Sequence, residues 1–282
     1  MKISSISYHY NYKLVANRYY NSRISKFYAT DPLAEKYPNF SPYTYTVDNP
    51  VMLVDPDGRK IKVSFRTGFL GIFGKKVTLT YDPKNQQWID ANGKKYTGKM
   101  SRFARISLIY LNNLNKSSYT FANKLISELA DSKFDFYLKS RSRSFFKARS
   151  MFRAQAKYLH SKVPTDMIGS GGTIFLNPSG MPVFTKKGIQ RNPKTGLFHE
   201  FVHAYDAMRG LLAIEKYKGL KGAEWRAVYY ENLYRKTEHL PLRPCYGYSK
   251  FEIDDGFHYT PNPPHTLDDN GNPVLPEIFN FE

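Results

Sequence analysis

Cysteine is almost missing from this sequence of 282 residues, because Cys245 is the only one. A single cysteine excludes an internal disulfide framework and any metal site built on a Cys-x-x-Cys pair. Long apolar runs are missing too, since no stretch approaches the roughly 18 apolar residues of a membrane-spanning helix. The opening MKISSISYHYNYK has no apolar core of the secretory type. We therefore expect no membrane span, and export, if it occurs, without a classical signal peptide.

Acidic residues are outnumbered: 24 Asp and Glu stand against 42 Lys and Arg, which gives a formal net charge of +18. A charge of this size favours acidic partners such as nucleic acid, an anionic membrane surface or an acidic protein. Only KSRSRSFFKAR, residues 139–149, is densely basic, and its pattern fits a surface helix and a loop equally. The charge alone therefore does not select nucleic acid as the partner.

The patterning divides the chain into three parts, and 41% hydrophobic residues make the composition globular. Residues 1–60 are rich in Tyr, Pro and turn signals, which predicts a small β-meander that cannot close a core alone. Residues 61–100 alternate as a β-hairpin, and residues 101–282 mix helices with short strands. Helices are expected at 103–114, 120–132, 194–209 and 221–237, and strands at 134–140 and 173–176. These elements predict an α+β fold.

The motif LFHEFVHAYD, residues 197–206, carries the strongest chemical signal. His199 and His203 are four residues apart and share one face of a helix, where both imidazoles can bind one metal ion. Glu200 lies about 100° further round the helix, within reach of a water on that metal. Zinc lowers the pKa of such a water towards about 7, so we expect Glu200 to act as the general base of a hydrolase.

A catalytic zinc site needs a third protein ligand, and the motif helix does not supply it. In one class of zinc protease it comes six residues after the second histidine, but Arg209 stands there. The next helix offers Glu224 and Glu231, which are seven residues apart and share a face. Glu224 is preferred because the 21 residues after His203 allow one turn and the start of a second helix. Glu231 stays open as the alternative.

Three more polar residues follow the motif. Asp206, one turn after His203, is expected either to accept a hydrogen bond from a ligand imidazole or to face solvent. Arg243 and Tyr246 lie on the loop after the second helix, where a guanidinium and a phenol could stabilise the oxyanion of an attacked carbonyl. The plainer alternative for both is packing and surface pairing.

The run NRYYNSRISKFYATDPLAEKYPNFSPYTYTVDNPVMLVDPDG, residues 17–58, resembles the C-terminal end of an RHS-repeat core, the β-shell of polymorphic toxins. In that family a PxxxxDPxG motif followed by an apolar residue marks the self-cleavage that releases the toxin. Four residues match the motif, Pro50, Asp55, Pro56 and Gly58, whereas Arg59 replaces the apolar residue. For this short RHS remnant we therefore favour a turn role for Asp55 over self-cleavage.

The stretch from about residue 169 to 246 resembles the M91-type effector peptidases, zinc proteases of bacterial pathogenesis. The similar pieces are GSGGTIFLNP, LFHEFVHAYD, AEWRAVYYEN and LPLRPCYG. The resemblance implies a zincin-like metallopeptidase domain with helices on a small mixed sheet, Zn²⁺ as cofactor and Glu224 as third ligand. It also implies that Arg243 and Tyr246 act as the oxyanion pair. The strand Thr173–Leu176 would be the sheet edge along which an extended peptide binds.

These observations favour a zinc-dependent endopeptidase, an RHS-associated polymorphic toxin or effector that cleaves a protein substrate in the cytoplasm of a target cell. The basic charge predicts a substrate with an acidic segment. A cognate immunity protein is a further candidate partner, and DNA is not expected.

Two alternative functions stay open. One is a nucleic-acid-directed basic toxin, although the sequence has neither a His-Asn-His arrangement nor an acidic cluster for phosphoryl transfer. The other is a non-catalytic RHS-tip module that only binds a partner. Bound zinc would separate the proposed peptidase from such a module, whereas binding that weakens steeply with salt would indicate a phosphate-binding surface.

Overall fold

A computed structural model of the chain describes residues 12–15, 18–21, 26–27, 61–67, 74–159, 163–253 and 256–281. Its contacts divide the chain into two units, Met1–Pro56 and Asp57–Glu282. The first unit contains a three-stranded antiparallel sheet of β1 (Tyr12–Val15), β2 (Arg18–Asn21) and β3 (Lys26–Phe27), in that order. The residues of the predicted self-cleavage motif, Pro50, Asp55 and Gly58, lie outside the described residues.

The second unit is built on a six-stranded mixed sheet. Its strands are β4 (Ile61–Arg66), β5 (Lys76–Asp82), β6 (Gln87–Ile89), β7 (Phe136–Ser140), β8 (Phe145–Ala148) and β9 (Gly172–Leu176), in the spatial order β6–β5–β4–β7–β9–β8. The β4–β7 and β7–β9 pairs are parallel and the other pairs antiparallel. The strands of the predicted hairpin 61–100 therefore share one sheet with β7–β9. The three-part domain division stays a prediction.

The position of β8 corrects the expected sheet edge. Thr173–Leu176 belongs to β9, which pairs with β7 on one side and with β8 on the other, so it is not an edge. The basic run 139–149 contains the end of β7, a short turn and β8. On this side of the sheet the last described strand is therefore Phe145–Ala148.

The described residues form five α-helices, of which the first and the fourth contact the sheet: α1 (Arg102–Asn115), α2 (Thr120–Ala130), α3 (Met151–Leu159), α4 (Pro193–Arg209) and α5 (Gly222–Thr237). The four expected helices are confirmed to within two residues at each end, and α3 is additional. Three further hairpins complete the unit: β10 (Pro182–Thr185) with β11 (Gly188–Arg191), β12 (Lys216–Tyr217) with β13 (Leu220–Lys221), and β14 (Cys245–Ile253) with β15 (Gly256–His265). No helix of the described residues is long and apolar enough to cross a membrane.

Helix α4 lies at the centre of the unit, against β8, β9 and the other helices. It begins at the N-cap Asn192, whose side chain accepts hydrogen bonds from the backbone N–H groups of Lys194 and Thr195 at 3.0 and 3.2 Å. It ends at Gly210, whose φ of 75° suits glycine. Nearly every residue from 195 to 207 is buried. A helix buried on all sides carries polar groups only where partners exist, so its two histidines need partners in the interior.

The start of helix α5 is fixed by close packing. A Cβ atom on Gly222 would lie 2.4 Å from the ring of Phe279 and 2.7 Å from the Cβ of Ala213, so only glycine fits there. Phe279 belongs to a 3₁₀ turn near the C-terminus and is fully buried. This contact holds the first turn of α5, where Glu224 lies, against the segment that leaves α4.

Candidate metal and catalytic site

The two motif histidines lie together on α4, as their spacing predicts. Each is 7% exposed, and their ring centroids are 4.9 Å apart with the rings nearly perpendicular. The Nε2 atoms of both rings face the carboxylate of Glu224 on α5. The histidine pair therefore meets an acid from the second helix.

His199, His203 and Glu224 form a group that could hold a metal ion, with one donor atom from each within 4.8 Å of the others. The Oε2 atom of Glu224 is 3.1 Å from Nε2 of His199 and 3.4 Å from Nε2 of His203. A tetrahedral zinc site with bonds of about 2.0–2.1 Å has ligand atoms about 3.3 Å apart. Nitrogen and carboxylate donors at this spacing fit zinc.

Glu231, the alternative third ligand, lies on the other side of His199. Its Oε2 atom is 3.0 Å from Nδ1 of His199 and accepts a hydrogen bond from Nη1 of Arg243 at 3.0 Å. Its Oε1 atom accepts one from Nε of Arg235 at 2.7 Å. Burial alone would raise the pKa of Glu231, but the two guanidinium groups hold it well below the usual range. Glu231 is therefore an anionic partner of the His199 imidazole and lies outside the group that could hold a metal.

The two histidines have different surroundings. Burial would lower the pKa of His199, but hydrogen bonds to Glu224 and Glu231 raise it to about 10. A metal on Nε2 would leave Nδ1–H to donate to Glu231, which fixes both the tautomer and the ring orientation. By contrast, Nδ1 of His203 is buried without a hydrogen-bond partner among the described residues. The arrangement therefore anchors His199 more firmly than His203.

Glu200 lies beside the metal-binding group, buried and only 6% exposed. The backbone N–H of Phe146, on β8, donates a hydrogen bond to its carboxylate. Burial raises the pKa of Glu200, and the neighbouring His199 and His203 oppose that rise. A buried carboxylate with a raised pKa next to a metal-binding group is suited to proton transfer.

Arg243 and Tyr246 occupy different positions around the site. Tyr246 lines the cavity, where burial first, and then the charge and hydrogen bond of Glu224, raise the pKa of its phenol. Arg243 donates to Glu231 and to the carbonyl oxygens of Cys245 and Tyr246, at 3.2 and 2.6 Å for the carbonyls. Its guanidinium also lies 4.8 Å from the centre of the Tyr246 ring. Arg243 therefore contacts the supports of the site, and Tyr246 faces the cavity.

Asp206 follows neither of the two expectations. It is fully buried, and its carboxylate accepts hydrogen bonds from Nε and Nη2 of Arg226 at 2.8 and 3.0 Å. Arg226, two residues after Glu224, also donates to the carbonyl oxygen of Phe279 at 2.8 Å. Both the imidazole-acceptor role and the solvent-facing role were wrong, because the last turn of α4 faces α5. The role expected for Asp206 is taken by Glu231.

The metal-binding group and Glu200 open into a cavity of about 320 Å³. Strand β8 forms one wall of it, and residues around the start of α5 form another. The other lining residues are Ser144, Phe145, Phe146, Lys147, Ala148, Met151, Leu212, Ile214, Lys221, Ala223 and Tyr246. This lining could not be predicted from the sequence, because β8, the segment after α4 and the start of α5 are distant in the chain.

One family model matches the chain: Peptidase_M91, described as an effector protein, matches residues 111–246. The matched span contains His199, Glu200, His203, Glu224 and Glu231 and ends at Tyr246. It supports the M91-type resemblance and a peptidase of the effector type, and it does not extend to the RHS-like segment. No curated protein and no solved structure was found to match the chain.

Proposed function

We propose that this chain is a zinc-dependent endopeptidase, an RHS-associated effector toxin that cleaves a protein substrate. The observation that carries the proposal is the convergence of two histidine Nε2 atoms and the Glu224 carboxylate beside the buried Glu200, all facing one cavity. The family match over residues 111–246 supports the peptidase class. The RHS association rests on the resemblance of residues 17–58.

His199, His203 and Glu224 would bind the zinc, which when bound lowers the pKa of a water and polarises the scissile carbonyl. The carboxylate of Glu200 would accept a proton from the attacking water and pass it to the leaving amine nitrogen. Glu231 holds the Nδ1–H of His199, so the ring keeps one tautomer.

The phenol of Tyr246 is the side chain best placed to donate to the developing oxyanion, because it faces the cavity. Arg243, the other member of the expected pair, contacts Glu231 and the backbone next to Tyr246. We propose that it supports Tyr246 and Glu231, while its direct contact with the oxyanion stays a prediction.

Strand β8 replaces β9 as the edge for an extended peptide. The backbone N–H of Arg149 donates to the carbonyl oxygen of Gly171 across the β8–β9 pair at 2.8 Å. Because the direction of the backbone groups alternates along an antiparallel strand, those of Lys147 and Phe145 also face β9. The backbone groups of Phe146 and Ala148 therefore point away from β9, towards the cavity that β8 lines. The N–H of Phe146 already donates to Glu200, which leaves the carbonyl of Phe146 and the N–H and carbonyl of Ala148 for a substrate. A substrate strand could add to the sheet there by main-chain hydrogen bonds.

The proposed place of action rests on the resemblance and is supported by the effector family match. We propose that the chain reaches the cytoplasm of a target cell and cleaves a protein there. A producing cell needs protection from such an enzyme, so a cognate immunity protein is a proposed partner.

The test compares the chain with its Glu200→Gln variant on a proteome-derived peptide library, with cleavage read by mass spectrometry. Loss of the base is expected to lower kcat/KM by about 10²- to 10⁴-fold. Zinc measured by elemental analysis should stay unchanged, because Glu200 is outside the metal-binding group. Glu277→Gln, at an exposed acid on the C-terminal 3₁₀ turn, is the matched control. Full cleavage by Glu200→Gln, or a wild-type chain that binds no zinc, would contradict the proposal.

A further inference from the structure

Apart from the two acids of the candidate site, the charged residues that line the cavity are basic. Its acids, Glu200 and Glu224, already belong to the candidate catalytic and metal-binding groups. The remaining charged residues of the lining are Lys147, on β8, and Lys221, the residue before α5. Neither ammonium group forms an ion pair within the described part of the chain. Two lysines from different walls thus border the same cavity, and neither has an internal ion-pair partner among the described residues. Because side chains alternate along a strand, the side chain of Lys147 lies on the face of β8 opposite to Phe146 and Ala148, where the residues next to a bound apolar side chain also point.

The basic character extends along the segment that contains β8. Residues 136–165 hold eight Lys and Arg and no Asp or Glu. Exposed members of this set lie on the end of β7, on the turn and on β8: Lys139, Arg141, Arg143, Lys147 and Arg149. The strand edge that could receive a peptide therefore carries a positive field from its own side chains.

An apolar surface lies within the same cavity. Ala148, Leu212 and Ala223 line it and belong to one buried cluster, whose other members are alanines. Met151 and Ile214 also line it although they are 47% and 41% exposed. Small buried side chains below and half-exposed apolar side chains around them leave an apolar space open to a ligand.

We propose that this site selects an extended acidic segment with one large apolar side chain, and that Lys147 and Lys221 are its specificity-determining residues. The apolar side chain occupies the space over Ala148, Leu212 and Ala223. Carboxylates next to it pair with the two lysines, and the substrate backbone lies along β8. This inference rests on the proposed function for the cleavage step, while the binding preference is independent of it.

The test uses library peptides that the wild-type chain cleaves and designed peptides of the acidic–apolar–acidic type. Their Asn and Gln analogues, which have the same shape without charge, serve as neutral partners. Each carboxylate held by an exposed lysine is expected to change kcat/KM by about twofold to fivefold. The change should lie mainly in KM, and it should shrink as NaCl rises from about 0.05 to 0.5 M.

The variant Lys147→Glu separates charge selection from a structural effect. It should lower kcat/KM for the acidic peptide by about tenfold, leave the neutral analogue nearly unchanged, and raise cleavage of a lysine-containing peptide. The matched control is Lys94→Glu, in the exposed turn after β6 near the opposite end of the sheet, which should change none of these values. An equal loss on all peptides, or no reversal of preference, would overturn the proposal.

Binding to the Glu200→Gln chain, measured by fluorescence anisotropy, keeps this inference apart from the proposed function. Preferential binding of the acidic–apolar peptide, lost in Glu200→Gln/Lys147→Glu, supports the inference even if the wild-type chain cleaves nothing. Cleavage without any acidic preference overturns the inference and leaves the proposed function standing. A competitor DNA duplex is added at low salt, at the same total negative charge as the peptide. If it displaces the peptide, the surface binds nucleic acid and the inference is overturned as well.

Discussion

The two acids of α5 should respond to substitution in opposite ways. Glu231→Gln removes a charge that is 2% exposed and that accepts from Arg235 at 2.7 Å and from Arg243 at 3.0 Å. Breaking a buried ion pair costs about 3–5 kcal/mol. Both guanidinium groups keep other acceptors, such as the carbonyls of Pro241 and Cys245, so we expect about 3 kcal/mol less free energy of unfolding.

The same substitution should weaken zinc binding without abolishing it. Glu231 contacts Nδ1 of His199 and no other member of the metal-binding group, and loss of such a partner lowers metal affinity by about 10- to 100-fold. Glu224→Gln should have the larger effect on zinc affinity and the smaller effect on stability, because it removes a proposed ligand whose side chain is 23% exposed. We expect a loss of affinity of more than about 100-fold and a change in stability below about 1 kcal/mol.

The assays are urea unfolding of the chelator-treated chains, followed by circular dichroism, and zinc competition against a chromogenic chelator. The control is Glu238→Gln, near the end of α5, whose carboxylate pairs with Lys194 at 3.4 Å and does not touch the histidines. The reasoning is refuted if Glu231→Gln abolishes zinc binding while its unfolding free energy stays at the wild-type value. That result would make Glu231 the third ligand.

Two further variants test the supports around the site. Asp206→Asn leaves the Arg226 guanidinium buried without its anionic partner, although the carbonyl of Phe279 and the hydroxyl of Tyr230 still accept from it. We expect the free energy of unfolding, measured in urea, to fall by about 3–5 kcal/mol. A change within about 0.5 kcal/mol of zero, as for a surface substitution, would contradict this. Tyr246→Phe should lower kcat by about 10²- to 10³-fold with KM and zinc content unchanged, measured on a cleaved library peptide. If kcat stays the same, the phenol serves only its hydrogen bond to Glu224.

The sequence predicted the part of the site that depends on local geometry. His199, Glu200 and His203 are one helical turn of a single helix, so their spacing already determines which face they share. The choice between Glu224 and Glu231 could not be made in this way, because residues seven apart share a face. The structure shows that His199 contacts both acids, one through each ring nitrogen. That arrangement depends on the crossing angle and register of α4 and α5, which a local sequence pattern does not determine.

The fold shows the same division between local and long-range information. Helix α4 was predicted to within one residue at each end, and the structure shows local signals there: the N-cap Asn192 followed by Pro193, and the C-cap Gly210. The sheet edge was predicted wrongly, because the order of strands depends on pairing between distant segments. Strand β8 has only four residues within a basic run, too few for a period-two pattern to stand out. Its place next to β9 was therefore visible only in the folded chain.

The two buried charge networks explain why the ligand spacing is held so closely. Asp206 and Arg226 connect α4 to α5 three residues after His203 and two residues after Glu224. Glu231 connects the same helices again through His199. A buried ion pair adds little net stability compared with apolar packing, but it has strict geometric requirements. We infer that these pairs serve mainly to fix the crossing and register of the two helices. The 3.1 and 3.4 Å separations around Glu224 are then a property of the helix pair, which lowers the reorganisation needed to bind a metal.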